Sequence, residues 1–408
     1  MKCRFCNTEL ANEFIDLVSS PPSNSFLTSA QLNEPEVFYP LKVQVCHECF
    51  LVQIDEYKKS DAIFNSEYVY FSSYSTSWLK HSAAYVEMMI NRFNLTKDAA
   101  AFEIASNDGY LLQYFLEKGI NVLGIEPTAN TAAVAVSKGI ETIVDFFGVR
   151  LATQLAEGGR KADVLLGNNV LAHVPDINDF VGGMAVVLKQ GGVVTMEFPH
   201  LLQLIAQNQF DTIYHEHFSY LSLVTVNRIF SSHGLRIFDV EEIPTHGGSL
   251  RIFACHTSDE TKPTLASVKA LLEKETEAGL KKIGKYTGFQ QKADKVKNDF
   301  LSFLLEAQSQ GKKVAAYGAA AKGNTLLNYC GVKKDLLSFV VDANPAKQDK
   351  FLPGSHIPVL NETALKEAKP DYVAILPWNI KDEVMDQLNY VKHWEGKFVI
   401  VIPQLAII

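Results

Sequence analysis

The chain has 408 residues, of which 47% are hydrophobic and 21% charged, the balance of a folded globular protein rather than of a disordered or collagen-like one. Its 38 Lys and Arg against 46 Asp and Glu leave a formal charge of −8, which argues against nucleic acid as a partner. No run of about 18 apolar residues predicts a membrane span, and the N-terminus MKCRFCNTEL lacks the apolar core of a signal peptide, so a cytoplasmic protein is expected.

Residues 1–75 show little helical periodicity, and SSPPSNS (19–25) and NEPEVFYP (33–40) mark turns. Four of the six cysteines lie here as two CxxC pairs, Cys3 with Cys6 and Cys46 with Cys49. Two such knuckles supply the four thiolates that Zn2+ prefers in a tetrahedron. A redox CxxC or two pairs of core cysteines are the alternatives. Four thiolates leave no open coordination position, so the metal would be structural, stapling a module too small to bury a sufficient core of its own.

Residues 76–95 carry Trp78, Leu79, Ala83, Val86, Met89 and Phe93 near a 3.6 period, which predicts an amphipathic helix. From about residue 99, AAAFEIAS, NVLGIEP, ADVLLGNN and GVVTMEFP alternate with helix-like segments, the pattern of a doubly wound parallel sheet. GLRIFDVEEI and SLRIFACH, joined by PTHGG, predict a hairpin. A parallel sheet closing in an antiparallel hairpin is the layout of the S-adenosylmethionine methyltransferase fold. Residues 258–311 are charged and helix-prone and predict a helical linker. Strands return in 312–408 (KKVAAYGAAAKG, LLSFVVDANP, PDYVAILPW, FVIVIPQ), giving a second, smaller Rossmann-like α/β domain. Cys255 and Cys330 fall in strand or helix contexts and read as packing residues.

EIASNDG follows the first strand of the middle domain and opens a helix, where small residues let the backbone approach a ligand and the helix N-terminus offers N–H groups. Glu103, Ala105, Asn107, Asp108 and Gly109 are therefore candidate cofactor contacts. Glu126, ending the next strand, suits the hydroxyls of an adenosyl ribose, and Asn168 and Asn169 end a later strand. The turn is not G-x-G-x-x-G, since Ala105 stands where methyltransferases usually carry Gly. An ordinary strand–helix turn with a capping Asn or Asp is the alternative. Dinucleotide binding is the rival ligand, and the hairpin argues against it.

FDTIYHEHFSYLS gathers Tyr214, His215, Glu216 and His217. The spacing is not H-E-x-x-H, which needs two histidines one turn apart on a helix. Acid–base chemistry suits an imidazole that titrates near neutrality; metal ligation and packed histidines remain alternatives. His173 (NNVLAHVPD) and His200 (EFPH) follow strand C-termini, where open α/β sheets place active sites. EYVYFSSYS puts Tyr68, Tyr70 and Tyr74 in a Ser-rich loop, where a hydroxyl could bond an oxyanion or simply pack between domains. In the last domain, the turn from Gly318 to Gly323 offers backbone N–H groups and the charge of Lys322 to a diphosphate, with Asn324 beside it and Asp342 in reach of a hydroxyl. A domain that only packs is the alternative.

In the order CxxC…CxxC, YxYxSSYS, EIASNDGYLL, NNVLAHVPD, EFPH, FDTIYHEHFSYLS and GAAAKGNTLLN, essentially the whole chain resembles the sugar C-methyltransferases that act on nucleotide-linked keto-deoxysugars. The resemblance implies a zinc-binding module (1–75), an S-adenosylmethionine methyltransferase core (76–257), a helical linker (258–311) and a C-terminal Rossmann-like domain (312–408). It implies methyl transfer from S-adenosylmethionine to C3 of a nucleotide-linked 4-keto-6-deoxysugar, with Zn2+ structural. Carried over by position, His217 is the general base, Glu216 orients the histidines, Tyr214 and His173 complete the site, and Tyr68 bonds near the sugar. Tyr70, His200, His215, Gly318, Lys322 and Asn324 are the candidate substrate contacts. The chemistry agrees: a carbon nucleophile beside a ketone requires a base and a stabilised enolate oxygen. A monomer is feasible at this size. The rivals are an NAD(P)-dependent nucleotide-sugar oxidoreductase, which no full G-x-G-x-x-G supports, and a non-enzymatic zinc-ribbon scaffold. Against a nucleic-acid role for such a scaffold, residues 1–80 carry 6 basic and 10 acidic side chains.

Overall fold

The computed structural model describes residues 1–59 and 71–408. The chain begins with two copies of one loop. In the first, the Cys3 N–H donates to the Thr8 carbonyl and the Asn7 N–H to the Cys3 carbonyl; in the second, Cys46 donates to Leu51 and Phe50 to Cys46. Each loop turns at a residue in the left-handed region, Asn7 at φ 64° and Phe50 at φ 62°. The strands β1 (Asn12–Ser20), β2 (Tyr39–Val45) and β3 (Val52–Ile54) pair antiparallel between and beyond these knuckles.

Helix α1 (Thr76–Phe93) starts where the Ser75 hydroxyl accepts the Trp78 N–H, and buries Tyr85, Val86 and Met89. The middle domain then alternates as expected: β4 (Ala100–Ile104), α2 (Leu112–Glu117), β5 (Asn121–Ile125), α3 (Ala129–Ser137), β6 (Thr142–Ile143), α4 (Val149–Glu157), β7 (Ala162–Asn168), α5 (Ile177–Val187) and β8 (Leu188–Pro199). Next come α6 (Leu201–Ala206), β9 (Ser219–Tyr220), α7 (Leu223–Ser232), β10 (Leu235–Ile243) and β11 (Ser249–His256). The sheet runs β10-β11-β8-β7-β4-β5-β6. Strands β4 to β8 are parallel, and β11 is antiparallel to both β8 and β10. The strand order reverses at β4, so a crevice opens at the C-terminal ends of β4, β5 and β7.

One strand leaves this domain. β9 pairs antiparallel with β3, Val52 opposite Tyr220, and completes a sheet in the order β1-β2-β3-β9. The His-rich segment is thereby fastened to the N-terminal sheet, and β3, which would otherwise present an open edge, is covered.

The charged stretch after β11 forms α8 (Ala266–Glu277) and α9 (Phe289–Ser309), and these helices do more than connect. Phe289, Ala293, Val296, Phe300, Leu304 and Ala307 recur every three or four residues and are buried. They share one core with Phe14, Ile15 and Val43 of the first sheet and with Leu326, Val340 and Ala374 of the last domain. Glu275 of α8 is fully buried; its carboxylate accepts the N–H groups of Leu223 and Val224, both at 2.7 Å, at the start of α7.

The C-terminal domain contains β12 (Val314–Tyr317), α10 (Ala321–Cys330), β13 (Val340–Val341), β14 (Lys350–Phe351), β15 (Pro358–Leu360), β16 (Tyr372–Ile375), β17 (Lys397–Ile400) and β18 (Ala406–Ile407). Its sheet runs β14-β15-β13-β12-β16-β17-β18, parallel except at the two edges. Among the described residues no helix is long and apolar enough to cross a membrane.

Candidate active site

The four cysteine sulfurs lie within 4.8 Å of one another, with Cys3 and Cys49 at 3.5 Å and Cys6 and Cys46 at 3.5 Å. The Gln53 amide donates to Cys3 Sγ at 3.2 Å. The hydrogen bond from Cys49 draws the Cys3 thiol down to about 4, while Cys49 itself moves up. Four converging sulfurs, one already favouring its thiolate, fit a closed tetrahedral Zn2+ site.

A cavity of about 490 Å3 lies between the crevice of the middle domain and the C-terminal domain, a volume suited to a small-molecule ligand. On the crevice side Ala105, Asn107, Glu126, Asn168 and Asn169 line it. Ala105 sits at φ 55°, the left-handed conformation that favours glycine, the residue expected from sequence at this position. Asn107 (φ 49°) donates its N–H to Glu126 Oε2 at 2.9 Å, and Thr128 donates its N–H to Oε1 at 2.8 Å. Neither amide atom of Asn168 has a partner among the described residues. Glu103, Asp108 and Gly109 lie behind the wall. Glu103 is fully buried, which pushes its carboxyl well up. Asp108 accepts the Ser73 N–H at 3.2 Å and, with Asn107 accepting Ser72, ties the segment before α1 to the turn. At Gly109 (φ 74°) a Cβ would come within 2.4 Å of Ile140.

Strain at Ala105 is testable. A left-handed alanine costs roughly 1–2 kcal/mol, and a glycine there would return about 0.5–1 kcal/mol of that as chain entropy. Ala105→Gly should leave Tm unchanged or about 1–2 °C higher, and donor affinity within about threefold, by thermal melting and calorimetry.

Opposite the crevice stands the His-rich segment. His217 Nδ1 lies 2.8 Å from the Thr212 carbonyl, so Nδ1 carries the proton and donates. Nε2 keeps its lone pair and has no partner among the described residues. The ring centroid is 4.0 Å from that of Tyr214 and 4.6 Å from that of His173, and both neighbours line the cavity. Burial pulls His217 well below the ordinary histidine range and His173 to about 4, so both rings are neutral near pH 7. The neighbouring His215 turns the other way: Nε2 meets the Pro40 carbonyl at 3.1 Å, and the ring packs against Tyr39 and Tyr57.

Glu216 lines the cavity, and both its oxygens accept from Asn24 Nδ2, at 2.9 and 2.8 Å. The backbone of Glu216, rather than its carboxylate, bonds His173. Burial pushes this carboxyl up to about 7. Its folded value exceeds the unfolded one, so the stability it contributes is present at low pH and lost as pH rises through about 7; the loss is about 3 kcal/mol. Glu216→Gln cannot lose it. In ligand-free protein the Tm of the variant minus that of the wild type should therefore grow by several degrees between about pH 5 and pH 8.

The remaining candidates separate. His200 is 1% exposed and its Nε2 meets Glu275 Oε1 at 2.7 Å, away from the cavity. Tyr68 and Tyr70 lie outside the described residues. Lys322 lines the cavity with its Nζ on Asn379 Oδ1 at 2.6 Å and 4.8 Å above the Trp378 ring. Beneath it, Trp378 Nε1 donates to Asp211 at 2.7 Å, and burial pushes that carboxyl up to about 6. Gly318 (φ 91°) serves packing, since a Cβ would meet Pro377 at 2.5 Å. Asn324 is 1% exposed, behind the wall. Asp342 accepts the Ala319 N–H at 2.7 Å and so holds the turn. Sequence reasoning missed Asn24, His246 and Lys347, which also line the cavity. Lys347, whose Nζ bonds the Ala319 carbonyl at 3.0 Å, stands 28 residues beyond the alanine it joins and carries no motif of its own.

Family models match the chain in three parts: a putative zinc binding domain over residues 3–64, a methyltransferase domain over 81–240, and a C-methyltransferase C-terminal domain over 244–403. The chain is 32% identical over 409 residues to C-methyltransferase NovU of Streptomyces niveus, covering 100% of this chain and 96% of that protein. The chain belongs to the C-methyltransferase family. It is an S-adenosylmethionine-dependent enzyme that carries a zinc-binding module. This C-methyltransferase is also 31% identical over 93 residues to a ubiquinone biosynthesis O-methyltransferase of Chelativorans sp. (strain BNC1), over 22% of this chain and 37% of that one. Among solved structures, magnesium protoporphyrin IX methyltransferase from Synechocystis PCC 6803 aligns with 15% identity and a TM-score of 0.36, covering 44% of this chain and 83% of that chain.

Proposed function

We propose that the enzyme methylates a carbon beside the ketone of a nucleotide-linked 4-keto-6-deoxysugar, C3 by family resemblance, with His217 as the base. The observation that carries this reading is the His217 ring, held by Thr212 with its proton on Nδ1 and its lone pair on an unpartnered Nε2. Bound in the crevice, the donor supplies a sulfonium methyl that a carbanion can take up. His217 Nε2 accepts the proton from the carbon beside the carbonyl, and the electrons of the C–H bond pass toward the carbonyl oxygen. Tyr214 and, from outside the described residues, Tyr68 offer hydroxyls to that oxygen. Glu126 and the Asn168 amide suit the adenosyl side. Lys322 and Lys347, with the alanine turn between them, suit the diphosphate.

The test is a panel of nucleotide-linked 4-keto sugars with methyl-labelled donor, and NMR of the product. A 4-ketone acidifies the carbons on both of its sides, so the spectrum must show a methyl on C3 rather than C5. Label on oxygen, or no transfer to any keto sugar, would overturn the reading.

A further inference from the structure

We propose that His246 is a further catalytic residue, its imidazole hydrogen-bonding the sugar oxygen that takes up charge when the neighbouring carbon is deprotonated. This rests on the keto-sugar reading above. His246 sits at the tip of the β10–β11 hairpin, a place where the connection itself asks for no histidine. It lies at φ 55° and ψ 22°, a left-handed conformation in which Gly or Asn is the usual residue. Such strain persists only where the surroundings impose it, and they do. A Cβ on Gly247 would meet Trp378 at 2.4 Å, one on Gly248 would meet Gln203 at 2.7 Å, and Gln209 donates to the Gly247 carbonyl at 2.7 Å. The hairpin tip is wedged, and the histidine on it lines the cavity.

Its ring lies 5.2 Å from Trp78, which in turn stacks on His81 at 4.9 Å. Its Nε2 is shielded from water and finds no hydrogen-bond partner among the described residues. A buried polar nitrogen without a partner is destabilising, and a ligand oxygen would supply the missing partner. Burial holds the imidazole down at about 4, with Lys322, Glu197, His81 and His173 the charged and titratable groups acting on it. It is therefore neutral at working pH, with one N–H to donate. The step balances. The proton leaves carbon for His217, and the carbonyl becomes an enolate whose oxygen accepts from His246. The carbonyl would re-form as the carbon takes the methyl from the donor sulfonium, the S–CH3 bond breaking with its electron pair left on the sulfur of S-adenosylhomocysteine.

His246→Asn keeps the turn, because Asn tolerates left-handed φ, and withdraws the donor from reach. It should lower kcat by about 100-fold and slow solvent exchange of the sugar proton in proportion. Tm and the affinity for S-adenosylhomocysteine should stay within about 1 °C and threefold. His246→Gln, long enough to return an N–H, should recover about tenfold of that loss. A kcat for His246→Asn within about threefold of wild type, or a parallel fall in Tm and product affinity, would overturn the proposal. If the keto-sugar reading were wrong instead, the wild-type enzyme itself would neither exchange nor methylate the sugar.

Discussion

His217→Asn should lower kcat by about 10²–10⁴-fold while the affinity for S-adenosylhomocysteine stays within about threefold. The substitution is chosen to spare the fold. Asn can still donate to the Thr212 carbonyl that now accepts from Nδ1 at 2.8 Å, and the turn is held by the backbone N–H of His217 on Tyr214. Burial keeps the wild-type ring neutral, so no buried charge is lost and no partner stranded. What disappears is the lone pair on Nε2. Solvent exchange of the proton beside the ketone, followed by NMR without donor, should therefore vanish with turnover. The same burial sets the pH profile of the wild type. A base held well below the ordinary histidine range stays unprotonated through that range, so the acid limb of kcat/KM should lie below where a free histidine titrates. The imidazolium formed in the reaction is offset by the enolate beside it, which the isolated ring lacks. Near-normal turnover or undiminished exchange in His217→Asn would remove it as the base.

What could be read from sequence was what is local. The two knuckles, the strand–helix alternation and the closing hairpin each lie within a short run of residues. The His-rich segment shows where such reading stops. His215 and His217 stand two apart on an irregular stretch, where no periodicity tells them apart; the structure turns His215 to the Pro40 carbonyl and sets His217 against Tyr214 and His173, which line the cavity, and the strand just beyond, β9, is fastened to β3 from far away in the chain. His200 follows a strand at an active-site position, yet Glu275 of α8, 75 residues further on, claims it. His246 and Lys347 reach the cavity by the same long-range packing, and neither stands in a recognised motif. Ala105 is the converse case: the residue is not the glycine expected from sequence, but its φ of 55° is the left-handed conformation that favours glycine.

Removing the zinc should cost stability and donor binding together, and Arg4 is the reason. Zinc loss is expected to unfold the knuckles, since the free energy of binding a structural Zn2+ is folding free energy, of order 10 kcal/mol. The sheet β1–β3 shares its core with α9 and the last domain, so it should outlast them. The knuckles, by contrast, pack against the methyltransferase core, Cys3, Cys46 and Leu51 in one cluster with Ile177 and Phe180. Arg4 lies between Cys3 and Cys6. Its guanidinium donates to the Pro175 carbonyl at 2.6 Å and to the Ile54 carbonyl, and Asn178 donates back to the carbonyls of Arg4 at 3.1 Å and Phe5 at 2.9 Å. Pro175 and Asp176 line the cavity. A chelator should thus lower Tm by about 10 °C or more and weaken S-adenosylhomocysteine binding by about tenfold or more. Arg4→Lys separates the two effects, because one ammonium cannot fork to both carbonyls. It should keep its zinc, by metal analysis, yet lose about tenfold in affinity, by calorimetry. Full affinity in a zinc-replete Arg4→Lys variant would show that the knuckle holds the chain together without shaping the donor site.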